Sequence, residues 1–176
     1  MEKRLAQQLA YMLQHCSGLL AHTVWLMKRH STEAEFLKHR RAVGQVLGDL
    51  MVELLFPVEA EYPDLDQSTP TSSGAQEEPS SEESAQGENQ LGKDLLPEKE
   101  IAQQCASIFQ HCSGLLDHIV WLVKHHGTEA EFLRHRTAVA EVLADLRTKL
   151  LIPIYVKYPD LDPSATIDRR RPAQEH

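Results

Sequence analysis

From Leu5 onward, core-forming positions recur at alternating steps of four and three: Leu5, Leu9, Met12, Cys16, Leu19, Thr23 and Leu26. Steps of four and three straddle the helical period, so these side chains fall on one face of an α-helix. Leu13, Leu20, Val24 and Met27 widen that stripe on one side. The stripe runs out near His30, where the first helix is expected to end. Thr32 followed three residues later by Glu35 reads as a capping box that opens a second helix. Phe36, Val43, Leu47, Leu50 and Leu54 give this second helix its buried face, and Pro57 is expected to close or kink it. So short a connection forces the two helices to lie antiparallel.

The whole pattern then returns. With an offset of 96, residues 2–66 match residues 98–162 at 41 of 65 positions without a gap. The second stripe is Ile101, Cys105, Ile108, Cys112, Leu115, Ile119 and Leu122, and Thr128 with Glu131 repeats the capping box. One hairpin cannot cover its own apolar face, but two hairpins can cover each other. The expected fold is therefore all-α: tandem-duplicated antiparallel helical hairpins forming a four-helix bundle with pseudo-two-fold symmetry. The alternative is that each hairpin pairs with a hairpin of another chain, giving a homodimer. The expected divisions are a first repeat at 1–66, a linker at 67–96, a second repeat at 97–162 and a flexible tail at 163–176. Residues 67–92 hold five glutamates, no Lys or Arg and no aromatic residue. Such a segment buries too little surface to offset its ordering entropy and is expected to be a disordered acidic linker.

Charge narrows the partners. The chain carries 26 acidic against 18 basic residues, for a net charge of −8. Its one basic run, Arg169–Arg171, lies in the short tail. A phosphate backbone wants clustered Lys and Arg, so no nucleic-acid partner is expected. No apolar run approaches the roughly 20 residues of a membrane span, and no secretion signal is visible. Three cysteines without CxxC spacing argue against a disulfide framework and a zinc ribbon, and point to reduced thiols in the cytoplasm.

Histidine is the candidate chemistry. His15, His22, His30 and His39 all recur, as His111, His118, His126 and His135. With Leu19 at zero, the apolar face of the first helix spans about −20° to 140°, and His15 and His22 fall near −40° and −60° at its border. In a hairpin turning near residue 31, His22 and His39 lie at nearly the same level. Glu35 stands one turn before His39, so His22, Glu35 and His39 would make a two-histidine, one-carboxylate set of the kind that binds zinc or non-haem iron. The second copy offers His118, Glu131 and His135. Against this set stands the capping box, which already employs Glu35 and Glu131. His15 and Cys16 diverge by about 100° on the helix and do not form a nucleophile–base pair. No phosphate loop or serine elbow occurs, so no catalytic residue is assigned. The phrase YPDLD, at Tyr62–Asp66 and Tyr158–Asp162, is expected to dock its tyrosine on the end of the bundle, the alternative being a short recognition segment for a partner. The functional expectation is a non-enzymatic binding or regulatory protein that meets a protein partner through its helical surface. The alternative is a metal-binding bundle, sensor or oxidase-like, that uses the histidine sets.

Overall fold

The structure, a computed structural model, describes residues 2–65 and 98–164. The linker expected at 67–96 and nearly all of the tail expected at 163–176 lie outside the described residues. Four long helices carry the architecture, and no strand occurs among the described residues. In the first repeat, α1 spans Lys3–His30 and α2 spans Glu33–Asp49. A π turn at Leu50–Leu55, helix α3 at Phe56–Glu61 and a 3-10 turn at Pro63–Leu65 follow. The second repeat has α4 at Glu98–His126, α5 at Glu129–Asp145, a π turn at Leu146–Leu151, α6 at Ile152–Lys157 and a 3-10 turn at Pro159–Leu161.

The local chemistry explains these boundaries. Thr32 Oγ1 accepts the Glu35 N–H at 3.4 Å, and the Glu35 carboxylate accepts the Thr32 N–H at 3.2 Å. Thr128 and Glu131 make the same pair of bonds at 3.3 and 2.7 Å. Two backbone donors that the helix itself leaves unmatched are thereby satisfied at each start. Pro57 does not stop its helix. A proline ring crowds the carbonyl four residues back and offers no N–H. The π turn just ahead of it widens the ladder, and α3 resumes with Pro57 in its first turn. Pro153 in α6 repeats the arrangement.

The hairpins pack by their long helices, α1 against α4 above all. His22 and Leu26, late in α1, share a groove with Glu100, Gln104 and Ser107, early in α4, so the two helices run antiparallel. At their crossing the His15 and His111 rings meet edge to face at 6.1 Å, and Cys112 Sγ lies 3.9 Å from the Cys16 carbonyl. Equivalent residues meeting at one point place a pseudo-two-fold axis there. The partner helices approach near the same axis, where Asp49 shares a hydrogen bond with Asp145. Burial and that bond hold the Asp49 carboxyl above its usual range, while the Lys149 ammonium beside Asp145 holds the latter below it.

The core differs in register from the sequence expectation. Leu20 and Leu116 are fully buried, whereas Leu19 and Leu115 are only half-buried. Helix α1 must cover both α2 and α4, so its inward direction falls between the two contacts, toward the Leu13–Leu20 side of the stripe. The YPDLD phrase closes each repeat upon itself. Asp64 pairs with Lys3, and Asp160 pairs with Lys99 at 2.7 Å, while Tyr62 packs against the core.

Candidate functional site

Each histidine of the candidate metal sets has a neighbour that the helix geometry supplies. His22 is exposed and stacks on Trp25, three residues on, with ring centroids 5.6 Å apart. His118 stacks on Trp121 at the same 5.6 Å. His39 lies at the edge of the core and meets α1 at Thr23 rather than at His22. Its Nε2 stands 3.0 Å from Thr23 Oγ1. The Thr23 hydroxyl donates to the Leu20 carbonyl at 2.7 Å, which leaves its oxygen to accept. His39 therefore carries its proton on Nε2 and donates it to Thr23. Its ring also lies against Phe109 of the other repeat, at 6.0 Å. Burial pushes the His39 pKa down to about 4, since the charged imidazolium would be held away from water.

The second copy solves the same position differently. Ile119 replaces Thr23 and offers no oxygen, so His135 turns its Nδ1–H to the Glu131 carbonyl at 2.9 Å. His135 is buried, and burial lowers its pKa as well. Glu35 stays in its capping box, where the Thr32 hydroxyl first and Lys157 next hold its carboxyl below the usual range. Glu131 serves the matching box. His22 faces solvent while His39 turns to Thr23, and His118 and His135 are divided in the same way. Among the described residues no group of three His, Cys, Asp or Glu side chains is gathered as a metal would need.

Two features were not singled out from the sequence. The first is an exposed aromatic and imidazole strip along the outer side of α1 and α4. Trp25 is 49% exposed and lies under the Arg29 guanidinium, 4.7 Å from the ring centre. Trp121 is 50% exposed and packs on both His118 and His125, the latter at 4.3 Å. Tyr11 and His15 continue the strip on α1, stacked nearly parallel. The signal was present in the spacing of Tyr11, His15, His22, Trp25 and Arg29, a second heptad-like stripe on the polar side of the same helix. The second feature is a pocket of about 240 Å³ between the repeats. It opens where Cys105 stands in place of Leu9 of the other copy, a size difference legible only by comparing the repeats position by position.

Among the described residues no helix is long and apolar enough to cross a membrane. Comparison with family models, with curated proteins and with solved structures gives no match to this chain.

Proposed function

We propose that this chain is a non-enzymatic binding protein that docks a protein partner on the outer face of α1 and α4. The observation that carries this reading is the pair of half-exposed tryptophans, one from each repeat. Indole is costly to leave against water and stiff enough to lose little entropy on contact, which is why it anchors interfaces so often. Each tryptophan lies ten residues from the His15–His111 crossing, on opposite sides of it. At 1.5 Å per residue the anchors stand roughly 30 Å apart, the breadth of an ordinary protein–protein contact. His22 and His118 already hold the indoles in place, so little ordering remains to be done on binding.

The test is a paired capture from cell extract with the wild type and a Trp25→Ala/Trp121→Ala variant that unfolds at the same temperature. A partner retained by the wild type and lost by the variant supports the reading. Identical captures would refute it. The alternative, zinc or iron at His22, Glu35 and His39 or at His118, Glu131 and His135, has no gathered ligand set in its favour. Elemental analysis of untagged protein separates the two, because stoichiometric metal would replace the present proposal.

A further inference from the structure

The pocket between the repeats is bounded by the end of α1, the early turns of α2 and α4, and α6. Its walls are mostly apolar, with Met27, Ala42, Ile101, Ala102, Leu150 and Ile154 among them. Cys105 and His39 also line it, and both are uncharged at neutral pH. Burial pushes the thiol up to about 11 and the imidazole down to about 4. The same corner of the other repeat is packed more closely. Leu9 and Val58 are fully buried there, whereas Ile154, at the position of Val58, is only partly buried. A leucine reduced to a cysteine removes two heavy atoms from the wall.

The two corners have diverged in charge as well as in size. Lys38, Lys149 and Lys157 line the open one against Glu35 and Glu98, a net charge of +1. The equivalent positions of the other corner hold Arg134 against Glu2, Glu53, Glu61 and Glu131, a net charge of −3. Two glutamates of the packed corner are thus lysines where the cavity opens. Lys157 is bound by Glu35 at 3.1 Å and by Glu98, and Lys149 by Asp145. Lys38 enters none of the ion pairs among the described residues. It is exposed and lines the pocket, which puts it at the mouth. An occupant therefore meets an apolar wall with one unmatched positive charge beside it. A cation would meet three ammonium groups and could displace none of them. As to size, a cavity of about 150 Å³ holds benzene, so about 240 Å³ suits a body of roughly ten non-hydrogen atoms.

We propose that this pocket binds a small organic monocarboxylate, its compact apolar body against Ile101, Leu150 and Ile154 and its carboxylate on Lys38. This site is separate from the tryptophan face and does not depend on it. The test is calorimetric titration of the full chain, at neutral pH and low salt, with three probes of one size: 4-propylbenzoate, 4-propylbenzamide and protonated 4-propylbenzylamine. The benzoate is expected to bind, the amide about threefold more weakly for want of the charge, and the ammonium about tenfold more weakly. Lys38→Met should remove the advantage of the benzoate over the amide and leave the amide unchanged, which a merely structural lysine would not do. Cys105→Leu restores the residue of the packed corner and should weaken benzoate and amide alike by roughly tenfold, the worth of about two buried methylenes. Ala102→Leu, from the same wall, is a second filling variant should the first unfold. An amide or ammonium that binds as tightly as the benzoate, or a benzoate preference that survives Lys38→Met, would overturn the proposal. So would benzoate binding unchanged in the filled variants, or no binding of benzoate at its solubility limit.

Discussion

His39 shows what a single residue contributes here. In the folded chain its pKa is pushed down to about 4, against about 6.5 in an unfolded chain. The unfolded state thus binds the extra proton, and stability rises with pH across this window. The full contribution is present above about pH 6.5 and is lost as the pH falls toward 4, with about 1–2 kcal/mol gone by pH 5. Urea midpoints between pH 5 and 7 should record that slope. His39→Gln, which keeps a donor for Thr23 but cannot titrate, should lessen it and leave the part that the burial of His135 contributes, whereas an unchanged slope would assign the titration elsewhere. The core makes a second prediction at this scale. Leu20→Ala and Leu116→Ala each empty a fully buried site and should cost about 2–5 kcal/mol, with Leu19→Ala clearly milder because Leu19 is half-buried. Equal penalties at 19 and 20 would mean that the inward direction of α1 is drawn wrongly. That direction is where sequence reading stopped short. The four-three spacing marks a face about 160° wide, but its centre depends on where α2 and α4 both press, which no single helix encodes.

At the scale of elements, starts were more legible than ends. The capping boxes at Thr32 and Thr128 are written in four consecutive residues and form as the sequence implies. Thr32→Ala or Thr128→Ala should lower stability by about 0.5–2 kcal/mol, measurable as a shift in the unfolding midpoint. No shift at either position would show that the box is dispensable there. Past Pro57 the two readings of a proline, an end or a kink, were not separable from the sequence, because the accommodating π turn is what allows the helix to resume. The residues of the candidate metal sets are turned apart for a similar reason. His22 and His39 do approach the same level, but rotation about the helix puts Thr23, not His22, opposite His39. A level is fixed by rise per residue, whereas a facing direction is fixed by packing against the neighbouring helix.

The whole molecule is two hairpins that complete one core across a pseudo-two-fold axis. Cross-repeat contacts hold it: His39 on Phe109, Cys112 against Cys16, and Lys157 joining Glu35 to Glu98. Duplication was legible from the identities alone, and mutual covering followed from the exposed apolar face of a single hairpin. The divergence between the copies shaped what the sequence read singly did not reveal, the open corner at Cys105 above all. Because that pocket draws residues from both repeats, it exists only if the repeats pack together. A protease site introduced within residues 66–97 tests this most directly. After complete cleavage the account predicts that the two fragments co-elute on size exclusion as one particle of about 20 kDa and unfold in a single transition at the midpoint of the intact chain or slightly below it. Fragments that separate under native conditions, each still folded and monomeric, would contradict it.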